Sequence, residues 1–355
     1  MKQAARSWSD RVIPTFLARS TGDSGIAAGA RGKALRAFML AGCLVALGGC
    51  SKPAPVMQDA AQDAPAAGPA GPAPAGNVMN VRAVGMKFEG PTEVPSGWVT
   101  LRLENASGMI HFAVVERLPE GITVERTQAD VAPPFQRGLD ALNAGDPDAA
   151  NAAFGQLPEW FGQVVFLGGP GLVSGGRSAE TTVFLEPGNY MLECYVKTDG
   201  VFHSYNPEPG QFGMVHGFTV TAADGGAPEP EPTATLSLST RGLEITAGEL
   251  RPGTNVVKVD FIDQQVYPNF VGHDVHVVRL GGDVDPDAVK AWMDWRQQDG
   301  LQTPAPAVFL GGVNDMPAGS TAYLRLELEP GDYAFVAEVP SPGEHGLWLP
   351  FSVGS

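Results

Sequence analysis

Short apolar or alternating stretches, each bounded by Gly, Pro or Asn, recur along most of this 355-residue chain. Their length and their period of two are typical of β-strands. The clearest read WVTLRLEN, HFAVVERL, TTVFLEPG, NYMLECYV and GMVHGFTV in the first part, and NVVKVDFID, HDVHVVRL, AYLRLELEPG and DYAFVAEV in the second. The hydrophobic pattern therefore predicts a chain built mainly from strands.

Two regions depart from this pattern and predict helices. The segment DPDAVKAWMDWRQQ places Asp285 as the N-cap and Pro286 at the first helical position. The region 119–160 is longer and predicts two short helices. Because strands and helices do not alternate in a βαβ rhythm, we predict an all-β fold of Greek-key β-sandwiches, each with a helical insert.

An internal repeat organises the chain. The string VFLGG occurs at 165–169 and 308–312, and LEPGNY at 185–190 matches LEPGDY at 328–333; both pairs are 143 positions apart. This self-similarity predicts two domains of one fold, 78–222 (copy one) and 234–355 (copy two). Residues 223–233, rich in Pro, Gly and Glu, are predicted to form the linker between them.

The N-terminal region has the character of an export signal. Basic residues precede the apolar run AFMLAGCLVALGG, which is too short to span a bilayer and ends at LGGC with Cys50. This ending resembles the bacterial lipobox, whose cysteine becomes the acylated first residue of a mature lipoprotein. We therefore expect 1–49 to be the signal region and 50–77, rich in Pro and Ala, to be a tether. The expected location is the periplasmic or cell-surface face of a bacterial membrane, with the lipid on Cys50 as the anchor.

The net charge of the chain bears on which classes of molecule it can bind. The formal net charge is −16, and residues 1–49 carry seven basic and two acidic side chains, so the remainder carries −21. Such an acidic chain disfavours nucleic acid as a partner. The chain has three cysteines. Once Cys43 is removed with the signal and Cys50 is acylated, Cys194 is the one free thiol left in an exported protein, where unpaired cysteines are unusual.

Candidate ligands surround that thiol in the sequence. Cys194, His203 and Met214 lie in order between two strand-like stretches, and His111 begins an earlier one, after NASGMI. One thiolate, two imidazoles and a weak thioether are the donor set of a mononuclear blue-copper site. This order resembles that of the cupredoxins, in which one histidine comes from an early strand and the Cys, His and Met come from the loop joining the last two strands. The resemblance implies copper at these four residues, for electron transfer with a redox partner protein or for copper handling.

Copy two lacks the sulfur donors. Aligned through the repeat, Ala337 stands opposite Cys194 and Leu347 opposite Met214, while His273 and His345 stand opposite the two copper histidines. Copy two is therefore expected to hold no blue copper. A weaker hypothesis groups His273, His276 and His345 as an imidazole cluster for Cu(II) or Zn(II).

Three function classes follow from these features. The residues beside Cys194 are Glu193 and Tyr195, whereas copper enzymes of the cupredoxin family place histidine beside the copper cysteine to connect a catalytic copper. A copper oxidoreductase is thus disfavoured, and we expect a carrier or binding protein. The alternative is a metal-free interaction or ligand-binding module, in which Cys194 packs as a small buried apolar residue.

Overall fold

The computed structural model describes residues 76–354. The signal region, Cys50 and nearly all of the tether lie outside the described residues, so the predictions made on them stay predictions. Over residues 76–354, no helix combines the length and the apolar character needed to cross a membrane.

Eighteen strands are the main regular structure of the described chain. Copy one contains β1 (Val78–Val84), β2 (Lys87–Glu89), β3 (Glu93–Asn105), β4 (Val114–Arg117), β5 (Val165–Phe166), β6 (Ser178–Leu185), β7 (Gly188–Glu193), β8 (Lys197–Thr198), β9 (Val201–Phe202) and β10 (Val215–Asp224). Copy two contains β11 (Ala234–Ser239), β12 (Gly242–Gly248), β13 (Gly253–Phe261), β14 (Val275–Leu280), β15 (Val308–Val313), β16 (Thr321–Leu328), β17 (Gly331–Val336) and β18 (Trp348–Val353). The predicted all-β class is confirmed.

The two copies share one strand order. In copy one, β2-β1-β3-β6 form one sheet and β5-β4-β7-β10 form another; in copy two, β12-β11-β13-β16 and β15-β14-β17-β18 repeat this arrangement. The N-terminal end of β3 also pairs with β10, which links the two sheets of copy one at an edge. In each copy the chain moves repeatedly from one sheet to the other, as in a Greek-key sandwich.

The core of each sandwich follows from strict alternation along the strands. In β3, Val99, Leu101 and Leu103 are at most 1% exposed, whereas Arg102 and Glu104 between them face outward. The same alternation in β13 buries Val257 and Val259. Side chains two positions apart lie on one face of a strand, so the sequence pattern alone selects the buried face.

The two copies share one continuous sheet through β6 and β16, which pair antiparallel. Thr181 lies opposite Leu324 in this pairing. These two residues are themselves separated by the repeat offset of 143 positions. The copies are therefore related by a local two-fold axis between Thr181 and Leu324, as in a symmetric dimer joined on one chain.

Four α-helices form the inserts. Copy one has α1 (Val124–Asp130), α2 (Ala132–Asn143) and α3 (Pro147–Phe154), followed by a 3₁₀ turn (Glu159–Gln163); copy two has α4 (Pro286–Trp292). The prediction of two helices in 119–160 is wrong because Asp146, whose side chain accepts from the Ala149 amide, starts a third helix. The predicted N-cap Asp285 is confirmed: its side chain accepts from the Asp287 amide.

Candidate metal centre

A short hairpin brings His203 back to Cys194. Cys194 directly follows β7, and the antiparallel pair β8–β9 occupies the eight residues between Cys194 and His203. The hairpin closes where the His203 amide donates to the Val196 carbonyl at 2.8 Å. The eight-residue spacing is therefore closed by local hydrogen bonds, and it places the imidazole beside the thiol.

Met214 is tied to the same two residues through its backbone. Its amide donates to the His203 carbonyl at 2.6 Å, and its carbonyl accepts from the Cys194 amide at 3.1 Å. The segment between His203 and Met214 turns outward on a loop in which Asn206 Oδ1 accepts from the Glu208 amide. Gly213 permits the return, since a Cβ there would lie 2.0 Å from the backbone carbon of Ser204.

Asn105, at the end of β3, positions His111. The Asn105 side-chain amide donates to the carbonyls of Met109 and Val173, and its Oδ1 accepts from the Ser107 amide. His111 itself exchanges two backbone hydrogen bonds with Val173. The turn before β4 is therefore held from both sides, and it directs the His111 ring into the sandwich.

The three predicted donors converge on one point. His111 Nδ1 lies 3.5 Å from Cys194 Sγ, His203 Nδ1 lies 3.7 Å from the same sulfur, and the two Nδ1 atoms are 3.2 Å apart. Bonds of about 2.0–2.1 Å to imidazole nitrogen and about 2.3 Å to thiolate sulfur place donors on one metal ion roughly 3.3–3.8 Å apart. The observed triangle therefore has the dimensions of a metal-binding triad.

The hydrogen bonding of Nε2 in each imidazole determines whether Nδ1 is free to bind a metal ion. His203 Nε2 lies 2.8 Å from Thr198 Oγ1. With a proton on that nitrogen, the Nδ1 lone pair faces the thiol. Thr198 Oγ1 in turn lies 2.9 Å from Thr303 Oγ1 of copy two. His111 Nε2 is buried and has no hydrogen-bond partner among the described residues.

Burial sets the ionisation of all three groups. It lowers the pKa of His111 to about 4, and burial together with the adjacent His111 lowers the pKa of His203 to about 3. Burial also raises the pKa of the Cys194 thiol to about 12. Both imidazoles are thus neutral near pH 7 with lone pairs available, while the thiol must lose its proton to a metal ion when one binds.

Met214 occupies the predicted place of a fourth donor. Its side chain is fully buried, and its backbone is bonded to the two loop ligands. Its role as an axial sulfur ligand stays a prediction, since the geometry described above involves the other three residues.

Copy two reproduces the backbone of this region without its donors. The Ala337 amide donates to the Leu347 carbonyl at 3.1 Å, as the Cys194 amide does to Met214. This hydrogen bond agrees with the predicted equivalence of Ala337 with Cys194 and of Leu347 with Met214. The Leu347 amide, however, donates to Pro342, and His345 is exposed. His345 therefore does not take the place that buried His203 has in copy one.

The weaker histidine cluster of copy two does not form. His276 Nδ1 accepts from the Leu172 amide at 3.0 Å, and its Nε2 lies 2.7 Å from Asp274 Oδ2. Both ring nitrogens are therefore engaged, which leaves no lone pair for a metal. The His273 ring lies near the Tyr267 hydroxyl and the Asp263 carbonyl, and His345 is exposed. The three imidazoles thus serve separate local roles.

Sequence reasoning missed the groups that support the site from copy two. Lys197, in the hairpin between the ligands, donates from Nζ to the carbonyls of Trp295, Gln297 and Gln298. Its backbone exchanges hydrogen bonds with Leu301 and Thr303. The one available signal was a lysine within a strand-like segment beside the cysteine; its partners are about a hundred residues away and leave no local pattern.

Comparisons with known proteins find structural likeness only. No protein-family model matches the chain, and no curated protein matches it significantly. Auracyanin B is 20% identical at a TM-score of 0.25, over 36% of this chain and 94% of its own. Auracyanin A, a "blue" copper protein from Chloroflexus aurantiacus, is 20% identical at 0.24, over 41% and 98%. Copper nitrite reductase from Nitrosomonas europaea is 13% identical at 0.22, over 78% and 93%. TM-scores of this size do not decide what this chain binds.

Proposed function

We propose that copy one binds a single copper ion through His111, Cys194 and His203, with Met214 as a weak fourth ligand. The observation that carries the proposal is the convergence of two Nδ1 atoms and one thiol within 3.2–3.7 Å in a buried site. The donor chemistry favours copper, because a thiolate with a thioether is a soft set that suits this metal.

We further propose that the protein is an electron carrier or a copper-handling protein rather than an enzyme. Copper held by such donors exchanges single electrons between its two oxidation states. The chain keeps its donors rigid: Cys194, His203 and Met214 are joined by direct backbone hydrogen bonds, and the hairpin between the first two is bonded to copy two. Donors fixed in this way need little rearrangement when an electron enters or leaves.

Copy two then has a supporting role. It supplies the carbonyls that hold Lys197 and the hydroxyl of Thr303 beyond Thr198, but no donor atom of its own. The lipobox ending at Cys50 and the Pro/Ala tether support a membrane-anchored, exported carrier whose redox partner is another protein.

Copper titration of the full chain tests the proposal. We expect one equivalent of Cu(II), measured by elemental analysis, with intense thiolate-to-copper absorption in the visible range. Cys194→Ser should abolish this band because a hydroxyl cannot replace the soft thiolate. Met214→Leu should shift the reduction potential and keep a coloured site.

A Cys43→Ser/Cys50→Ser double variant is the matched control. It leaves Cys194 as the one thiol of the chain and should retain the full band. A wild-type chain that binds no copper, or whose band survives Cys194→Ser, contradicts the proposal. The metal-free alternative is favoured by one specific observation, an aromatic-walled cavity where the two copies meet.

A further inference from the structure

The cavity lies between the helical insert of copy one and the loops of copy two, and has a volume of about 60 Å³. One water needs roughly 10–15 Å³ on this measure, so the space suits a ligand of about four to six non-hydrogen atoms. Phenylalanine and tryptophan side chains form the apolar part of its wall: Phe135, Phe161, Phe166, Phe202, Phe270 and Trp295. They come from both copies, so neither copy forms the cavity alone.

The aromatic rings pack edge to face rather than filling the space. Phe135 lies 5.4 Å from Phe270 and 6.3 Å from Trp295 between ring centroids, and Phe202 lies 5.3 Å from Trp295. Phe135 and Phe270 are half-buried, so the aromatic wall reaches towards solvent. Ring faces carry partial negative charge, and aromatic walls of this kind attract cations.

The polar end of the cavity is acidic. Glu193 and Asp315 line it, together with Tyr195, Ser204 and Asn269. Within the described residues, no basic side chain lines the cavity. Further carboxyl groups lie behind: burial and the neighbouring Glu193 raise the pKa of Glu116, and Glu338 accepts from the Tyr195 hydroxyl. The side chains near this end are therefore mainly carboxyl groups and other hydrogen-bond acceptors.

Among the residues that line the cavity, Asn269 has an acceptor without a partner. Asn269 is fully buried; its side-chain nitrogen donates to the Glu338 carbonyl and its backbone carbonyl accepts from Trp295 Nε1. Its Oδ1 has no hydrogen-bond partner among residues 76–354. A buried acceptor without a donor has lost its hydrogen bonds to water and gained none in the protein, which is unfavourable. A ligand that brings N–H donors into the cavity would satisfy it.

We propose that this cavity binds a small primary ammonium ion, whose charged end contacts Glu193, Asp315 and Asn269 Oδ1 and whose hydrocarbon part lies against the aromatic side chains. Carboxylates and ring faces both favour a cation, and the unpaired amide oxygen requires a donor. A small primary ammonium ion supplies both the cation and the donor, and it fits the small volume of the cavity. The proposal does not depend on copper in copy one.

A bare metal ion fits less well. In the described chain, the groups with three donor atoms within 4.8 Å of one another are His111/Cys194/His203 and Asp274/His276/Glu338. Neither group includes Glu193 or Asp315, so these two carboxylates do not belong to a triad of His, Cys, Asp or Glu donors suited to a metal ion. An anion would meet carboxyl groups and no basic side chain, whereas an ammonium ion would compensate the cavity carboxylates that are ionised and would donate to Asn269 Oδ1.

The direct test compares n-butylammonium with n-butanol, which has the same number of non-hydrogen atoms and no charge. Binding is measured by calorimetry on the metal-free full chain in non-ionic detergent, so the result is independent of the copper proposal. We expect n-butylammonium to bind at least about tenfold more tightly, a difference of about 1.4 kcal/mol. Equal affinities, or no ammonium binding at about 10 mM, overturn the proposal.

Variants locate the binding. Asp315→Asn and Glu193→Gln each remove one carboxylate while preserving shape, and each should weaken n-butylammonium binding about tenfold without changing n-butanol binding. Asp332→Asn is the matched control, because it removes an equal charge from an exposed strand position elsewhere. The proposal fails if both cavity variants bind n-butylammonium as the wild type does, or if Asp332→Asn weakens binding equally. Circular dichroism checks that each variant is folded.

Discussion

The hydroxyl of Tyr195 donates a hydrogen bond to Glu338 Oε2 at 3.2 Å, and these two residues occupy equivalent positions of the repeat. They follow Cys194 and Ala337, respectively, so the thiol of copy one lies one residue from the contact between the copies. Copy two thus contacts the region of the candidate copper site, at the strand end where copy two itself has Ala337 in place of Cys194. The hydrogen bond between Tyr195 and Glu338 therefore lies on the local two-fold axis, beside the candidate copper site.

Buried carboxyl groups between the copies should make stability depend on pH. Burial raises the pKa of Asp315 to about 7, above its unfolded value, and raises that of Glu338 as well. Such groups stabilise the fold fully below their unfolded pKa, and this contribution is lost as pH rises through the folded pKa. We expect the free energy of unfolding to fall between pH 5 and pH 8, each group contributing at most about 1.4 kcal/mol per pH unit.

Urea denaturation across that range measures the effect. Asp315→Asn should flatten the dependence, whereas Asp332→Asn should leave it unchanged because that group is exposed. A wild-type stability that rises towards pH 8 would show that these carboxyls are ionised and paired in the folded protein.

Thr198 should set the copper affinity through His203. Its hydroxyl lies 2.8 Å from His203 Nε2 and fixes the ring with Nδ1 towards the thiol. Thr198→Val should lower copper affinity about 10–100-fold, as is usual for a lost partner of a metal-binding imidazole. Competition with a chelator measures this. Thr198→Ser should restore affinity; equal losses in both variants would assign the effect to packing instead.

Gly213 should be intolerant of any side chain. A Cβ there meets the backbone of Ser204 at 2.0 Å, and backbone atoms cannot move aside cheaply. We expect Gly213→Ala to destabilise the fold by about 2–4 kcal/mol and to weaken copper binding, because Ser204 and Gly213 directly adjoin His203 and Met214 in the chain. Gly281→Ala is the control, since no atom lies within 4 Å of its Cβ. Thermal denaturation gives the melting temperatures of the two variants. Equal melting temperatures would contradict the predicted clash between a side chain at Gly213 and the backbone of Ser204.

Copy two expressed alone as 234–355 should be colourless with copper, because Ala337 and Leu347 offer no sulfur. It should also self-associate, since removal of β6 leaves β16 as an unpaired edge strand. A second copy of β16 can replace β6 about a true two-fold axis. Sedimentation equilibrium should show a dimer; a stable monomer, or a thiolate-like spectrum, would contradict the pairing or the repeat alignment.

Cys50→Ser should release the protein from the membrane fraction. The apolar signal run is too short to act as a lasting anchor after cleavage, so retention rests on the acylated cysteine. Fractionation of a bacterial host, with mass analysis of the mature N-terminus, measures this. A soluble wild type, or a mature chain that begins elsewhere than at an acylated Cys50, would refute the lipoprotein prediction.

The sequence alone determined the features that depend on neighbouring residues. Alternation along β3 selected its buried face, Asp285 and Pro286 marked the start of α4, and the repeated strings related Ala337 to Cys194. The donor residues of the candidate copper site could also be named, because a lone thiol followed by His and Met is a rare combination. Each of these signals is contained in residue identity and short-range spacing.

Only the tertiary structure decided what depends on contacts between distant segments. His276 looked available as a ligand, but the Leu172 amide, from the other copy, engages its Nδ1. His345 matched His203 in order, yet it is exposed where His203 is buried. Glu193 of copy one and Asp315 of copy two line the same cavity, and no local pattern in either segment predicts that they meet. The free energy of such contacts comes from surface that the two copies bury against each other. The hydrophobic pattern within one short segment does not contain this information.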